Sequence, residues 1–176
     1  METLEATAAP KIDPAIELVP AHTEEIRTLI GELNEELSAL YTPEQRHGLS
    51  LDAIFQPNIR FFVARSDSEP VGCAGIALLD GFAEIKRMYV RPAMRDRGVA
   101  DAIVARLAEE TVSSGRKLLR LETGSHSFAA LRFYSRCGFR LCEAFEPYAF
   151  MPPPAIITSV FMEKEVGRDY AQGLGP

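Results

Sequence analysis

The stretch RDRGVADAIVARL, residues 95–107, sets two arginines, an aspartate and a glycine directly before an apolar pattern of helical period. The first turn of a helix leaves N–H groups without intrahelical partners, and its aligned peptides place about half a positive charge there. A loop feeding such an end from a strand makes an anion site, above all for phosphates. Gly98 lets backbone approach an anion without a Cβ in the way, and Ala100 is nearly as small. Arg95 and Arg97 add charge-assisted donors suited to phosphate oxygens. That chemistry is grip, not bond-making, and its bland alternative is an ordinary helix start with solvated arginines. The run is not a Walker sequence, since no Gly-Lys-Ser/Thr follows, and it is not G-x-G-x-x-G either. Cys137 is the one nucleophile to weigh, but no histidine stands close enough to activate it, so it reads as a structural thiol. His126 lies eleven residues earlier, and His22 and His47 lack ligand partners, so no metal site is expected.

The elements that must position this loop follow from hydrophobic periodicity. Residues 15–19 read as a short strand. Apolar side chains recur at Ile26, Leu29, Ile30, Leu33, Leu37 and Leu40, one face of a helix over residues 23–40 with Glu24 and Glu25 in its first turn. Residues 51–55 suggest a second, short helix. Residues 60–65 and 71–79 are strand-like and joined by the turn-rich SDSEP; a third strand, 82–90, follows Asp80-Gly81. Helices are expected over 99–114 and 127–136, stopped by Gly115 and Gly138, with strands at 118–122, 139–143 and 157–163. An antiparallel meander leading into strand–helix–strand–helix–strand implies an α/β (α+β) fold, with a mixed sheet flanked by helices. One domain spans 14–165, between a flexible leader at 1–13 and a tail at 166–176.

Composition narrows the class. Apolar residues make up 47% of 176, ordinary for a globular chain, and the net charge of −6 gives no polycationic footprint for nucleic acid. No apolar run reaches the roughly 20 residues needed to cross a bilayer, and the first residues lack the regions of a secretory signal. Cys73, Cys137 and Cys142 are an odd set without ligand spacing, which reads as free thiols in a cytoplasmic protein.

Taken as R-x-x-G-x-A on Arg95, Gly98 and Ala100 after the strand end MYVRP, the loop resembles the acyl-CoA pyrophosphate loop of the GNAT superfamily of N-acetyltransferases. The resemblance covers residues 14–163 and rests on EIKRMYVRPAMRDRGVADAIV, LLRLETG and AALRFYSRCGF in that order. It implies a mostly antiparallel sheet splayed between its fourth and fifth strands, here 82–90 and 118–122. Acetyl-CoA would enter that wedge as co-substrate, its pantetheine arm along Met88, Tyr89 and Val90. Its pyrophosphate would sit on the amides of Arg95, Asp96, Arg97, Gly98, Val99 and Ala100. The family often carries asparagine seven positions before its tyrosine acid; Ser127 stands there and is the remaining coenzyme contact.

For catalysis the resemblance implies Glu84 as the base, with Glu122 as rival, and Tyr134 in FYSRCGF as the acid for the departing thiolate. Six residues separate Glu84 from Val90, which in a regular strand places both on one face. The acceptor pocket would draw on LYTPEQRHGLSLDAIF and AFEPYAFMPPPAI. There Tyr41, Arg46 and His47 suit a carboxylate, while Tyr148, Phe150 and Met151 suit an apolar lid or a homodimer contact. The leading function is cytoplasmic, acetyl-CoA-dependent N-acetylation of a small primary amine, without nucleic-acid, membrane or metal partners. A peptide or protein amine and a non-catalytic acyl-CoA-binding module are the alternatives.

Overall fold

A computed structural model describes residues 9–167; residues 1–8 and 168–176, and so most of the expected leader and tail, lie outside the described residues. The chain runs β1 (Ala15–Leu18), α1 (Glu24–Ser38), β2 (Ile59–Ser66), β3 (Glu69–Leu78), β4 (Ala83–Val90), α2 (Val99–Ser113), β5 (Leu118–Gly124), α3 (Phe128–Arg136), β6 (Arg140–Leu141), α4 (Pro153–Ile156) and β7 (Ser159–Glu165). The seven strands form one sheet ordered β1-β2-β3-β4-β5-β7-β6. Every pairing is antiparallel except β4 with β5.

Local chemistry accounts for the turns and helix ends. Asp67 and Ser68, between β2 and β3, both take positive φ (49° and 69°), the primed geometry that matches strand twist. The Thr23 side chain caps α1 by accepting from the Ile26 N–H at 3.3 Å, a contact that contributes about 1 kcal/mol. At the other end of α2, Gly115 turns left-handed (φ 80°) and the Arg116 N–H reaches back to the Thr111 carbonyl.

Strand alternation sorts the core into two layers. Phe62, Ile76, Ile85 and Leu121 face α2, where Ile103, Val104 and Leu107 meet them, and Tyr134 of α3 joins this layer. Phe61, Val63, Cys73 and Tyr89 face the other way, against Ile26, Leu29, Ile30 and Leu33 of α1. Each such apolar side chain contributes roughly 1.5–3 kcal/mol on full burial. A smaller aromatic cluster of Phe145, Tyr148 and Phe161 continues the α1 face beyond β5.

Several boundaries differ from the periodicity. The helix stops at Ser38 and leaves Leu40 48% exposed: the Leu40 and Tyr41 N–H groups both turn back onto the Leu37 carbonyl, and Pro43 keeps Thr42 extended. Residues 51–55 yield only a single 3-10 turn, Ala53–Phe55. The strand expected at 139–143 shrinks to two residues, because Phe139 is buried in the α2 layer and its N–H caps α3 at the Tyr134 carbonyl. The last strand begins at Ser159, after a short helix that takes up Ile156.

Candidate active site

The parallel pairing of β4 and β5 covers only Ala83–Leu119, Glu84–Arg120 and Ile85–Leu121. Beyond Ile85 the strands part. A bulge in β4 helps to drive them apart: Cys73 pairs with Tyr89 and Gly75 with Lys86, so Arg87 and Met88 both stand opposite Ala74. Arg87 takes the left-handed φ of 54° that this requires. The resulting cleft has a volume of about 780 Å³ and extends to the start of α2.

The bulge also corrects the strand-face expectation. One extra residue inverts the alternation, so Val90 points to the α2 layer with Ala83, Ile85 and Met88. Glu84 faces the opposite way, toward Tyr148 and the α1 side where Tyr89 also lies. Glu84 and Val90 do not share a face.

At the cleft mouth, Gly98 adopts φ 91° and ψ −1° and opens α2, whose first internal bond runs from the Ala102 N–H to the Gly98 carbonyl at 3.0 Å. The amides of Val99, Ala100 and Asp101 therefore precede the helical ladder. A Cβ on Gly98 would find only the Ile12 carbonyl oxygen and Lys11 Cδ, both at 3.6 Å, so backbone conformation rather than crowding calls for glycine. The two arginines brace the loop. Arg95 donates through Nε to the Val90 carbonyl at 2.9 Å and pairs with Glu36 at 2.6 Å. Arg97 donates to the Pro10 carbonyl at 3.2 Å, and its own carbonyl accepts from Ile12 at 2.9 Å. The cation that this N-terminal segment brings to the cleft is Lys11, which donates to the Asp96 carbonyl. The Val99 side chain is buried in the core beneath the helix start.

Deeper in the cleft, Glu84 is 2% exposed and receives both the Tyr148 hydroxyl at 2.6 Å and the Lys86 ammonium at 2.7 Å on Oε1. Lys86 also donates to the Tyr148 hydroxyl, closing a three-membered cluster. Burial pushes the Tyr148 phenol up, and the Glu84 charge beside it adds to the effect. Glu122, just past the last residue of β5 that pairs with β4, accepts from Ser159 at 2.7 Å. Burial raises its carboxyl above the ordinary 4.5, against the Ser159 bond and the charges of His47 and Lys86.

Tyr134 approaches from the α2 layer and donates to Met88 Sδ at 3.2 Å; burial pushes its phenol up as well. The Ser127 hydroxyl lies 2.9 Å from the Tyr41 hydroxyl, which also accepts the His126 N–H at 2.9 Å. The cleft thus gathers Glu84, Tyr134, Met88, Tyr89, Val90, Arg95, Asp96, Gly98, Ala100 and Ser127, while the side chains of Arg97 and Val99 lie outside its lining.

The sequence profile described as the Acetyltransferase (GNAT) family matches residues 25–139. The chain belongs to the GNAT family. Among relatives of this acetyltransferase, an IAA acetyltransferase from Azospirillum brasilense is 38% identical over 138 residues, covering 77% of this chain and 87% of its own. An uncharacterized N-acetyltransferase, YsnE of Bacillus subtilis, is 33% identical over 145 residues, covering 81% and 93%. A solved Klebsiella pneumoniae chain, a candidate acyl-CoA N-acyltransferase, superposes with a TM-score of 0.71 at 31% identity over 88% of this chain and 98% of its own. The PaiA N-acetyltransferase of Thermoplasma acidophilum, solved with coenzyme A, shares the fold with a TM-score of 0.65 at 18% identity, covering 86% and 99%.

Two residues that line the cleft beside Glu84 are not among the catalytic or coenzyme-binding candidates that the sequence offers. Lys86 lies two residues from Glu84 on the same strand face, so its pairing was legible from period two alone. Tyr148, suited by type to an apolar lid or a homodimer contact, is instead buried with its hydroxyl on Glu84. Phe150, from the same segment, is 78% exposed and closes nothing. Among the described residues no grouping of His, Cys, Asp and Glu forms a metal site, and no helix is long and apolar enough to cross a membrane.

Proposed function

We propose that this acetyltransferase moves the acetyl group of acetyl-CoA to a primary amine of a small molecule by direct attack. One observation carries the reading: Glu84 and Tyr134 line one cleft from opposite faces of the split between β4 and β5. Acceptor and leaving thiol can therefore occupy opposite sides of one thioester. A cleft of about 780 Å³ suits a coenzyme arm and a small acceptor together.

The chain's residues address the proton problems of such a transfer. An amine of pKa ~10.4 is only about one part in 2,500 free base at pH 7, a deficit of ~4.6 kcal/mol. Glu84 takes that proton, directly or through water; with Lys86 and Tyr148 both on Oε1, Oε2 is the oxygen for it. Tyr134, raised by burial, stays protonated at neutral pH and donates to the departing thiolate. Amides at the β4 bulge, near Met88–Val90, are donors for the carbonyl oxyanion. The edge of β4 past Ile85 has no strand neighbour on the β5 side and accepts the pantetheine arm as an added strand. The unladdered amides around Gly98 take the diphosphate, with Lys11 beside them.

Glu122 supports a second reading of the base, because a carboxyl raised by burial titrates nearer the working pH than an exposed one. A covalent route through cysteine has less support. Burial pushes the Cys137 thiol up and that of Cys73 to about 12, which starves both of thiolate. The unpaired cysteines suit a reducing compartment, in keeping with action in the cytoplasm.

Thiol release from acetyl-CoA with a panel of small amines and a lysine peptide tests the reading. Amine-dependent release with N-acetylated product is expected, larger for small amines. Binding of acetyl-CoA with no turnover above hydrolysis would instead favour a non-catalytic binding module.

A further inference from the structure

Arg46 and Arg87 share the cleft wall on the α1 side, one from the segment after α1 and one from the β4 bulge. The Nε of each is buried without a hydrogen-bond partner. Arg87 donates to the Asn34 amide oxygen at 2.7 Å. Among the described residues no aspartate or glutamate lies within ion-pairing distance of either arginine. Arg65, Arg91, Arg95 and Arg120, by contrast, each hold a carboxylate.

The two charges also oppose each other. Burial disfavours the Arg87 guanidinium, and the charge of Arg46 adds to that. A guanidinium does not lose its proton near neutrality, so the imbalance persists as positive potential facing the cleft. The local backbone is fitted to hold it: Arg87 sits at a left-handed φ of 54°, and its guanidinium lies against Gly48, where a Cβ would collide with it. Tyr41 and His47, the other residues suited to a carboxylate by type, are engaged elsewhere. The Tyr41 hydroxyl is taken by Ser127 and His126, and His47 Nε2 lies 2.9 Å from the Ala155 carbonyl.

We infer that the acetyl acceptor carries a carboxylate held by Arg46 and Arg87 while its amine faces Glu84 and Glu122, which makes it an amino acid or amino-acid-like zwitterion. This rests on the N-acetyltransferase reading and names the substrate class for it. Glu84 and Arg87 are three residues apart on β4, roughly 10 Å at about 3.3 Å per residue, a span that converging side chains reduce to amino-acid dimensions. Paired guanidinium donors suit the planar carboxylate in particular.

Matched pairs differing only in the carboxylate test this: tyrosine and tyramine, tryptophan and tryptamine, histidine and histamine, arginine and agmatine. Thiol release is measured with each, for the wild type, Arg46→Gln and Arg46→Lys; Arg46 is chosen because Arg87 also shapes the bulge. The acid of the best pair should exceed its amine at least tenfold in kcat/KM. Arg46→Gln should cut that ratio about tenfold or more, chiefly through KM, and Arg46→Lys should restore part of it. Equal use of both members, or an equal loss on both in Arg46→Gln, overturns the inference while leaving amine acetylation intact. If no member is turned over, the N-acetyltransferase reading fails, and calorimetry of the same amino acids against the coenzyme A-loaded protein judges the anion site separately. Binding weakened tenfold by Arg46→Gln supports it; absence of binding overturns it.

Discussion

The Tyr148 hydroxyl donates to Glu84 Oε1 at 2.6 Å, tying the proline-rich segment before β7 to the strand that borders the cleft. The ring is held edge-on by Phe145 and tilted against Phe161, with centroids 5.4 and 5.3 Å away. Tyr148→Phe keeps that packing and removes one donor from a buried carboxylate. Urea denaturation should show a loss of about 1–2 kcal/mol. Phe145→Ala empties part of the cluster and should cost more, about 3–5 kcal/mol. No loss in Tyr148→Phe would mean that the hydroxyl does no more than fill space.

Glu84→Gln keeps the shape of the carboxylate and removes its basicity. The kcat should fall about a hundredfold or more, and an unchanged kcat would remove Glu84 from the mechanism. Glu122→Gln separates the rival. Its carboxyl titrates above 4.5 in the folded chain because of burial, so a rate limb in that range that vanishes only in Glu122→Gln would transfer the role of base to Glu122.

Tyr134→Phe should lower kcat about ten- to a hundredfold with little change in KM for acetyl-CoA, since a thiol is a tolerable leaving group and needs limited help. Because burial raises the phenol, the wild-type rate should show no alkaline fall before about pH 10. An unchanged kcat in the variant would reduce Tyr134 to a packing residue.

Acid sensitivity should come partly from α1. Hydrogen bonds from Arg65 and Arg91 hold the Glu25 and Glu32 carboxyls below their ordinary 4.5. The folded state therefore binds fewer protons than the unfolded state just below that value. The stability these pairs contribute is present above 4.5 and is lost as pH falls through the lowered folded values. Both carboxylates are partly exposed, which limits each pair to about 1 kcal/mol. Denaturation of Glu32→Gln at about pH 6 and about pH 3 should show a smaller pH-dependent loss than the wild type; an identical loss would exclude the pair.

Much of the fold was legible because the signals were local. The apolar periodicity of α1, the Asp-Gly turn before β4 and the glycine stop of α2 each act within a few residues. The glycine-opened helix start was legible for the same reason, since Gly98 and the start of α2 are contiguous. What escaped depended on long-range pairing or on one inserted residue. The bulge at Arg87 inverted the face of everything after it, and no spacing rule announces a bulge. The pairing of Tyr148 with Glu84 joins positions 64 residues apart, so residue type alone points only to a lid or a dimer contact for Tyr148. Arg95 and Arg97 had the right chemistry for phosphate, yet Glu36 and Pro10 engage their side chains.

Calorimetric titration with coenzyme A and with pantetheine, on the wild type and on Gly98→Val, tests most directly whether the start of α2 grips a diphosphate. Coenzyme A should bind the wild type about a hundredfold or more tightly than pantetheine, with most of that difference lost in Gly98→Val. Equal affinity for the two ligands, or undiminished coenzyme A binding in the variant, would contradict it.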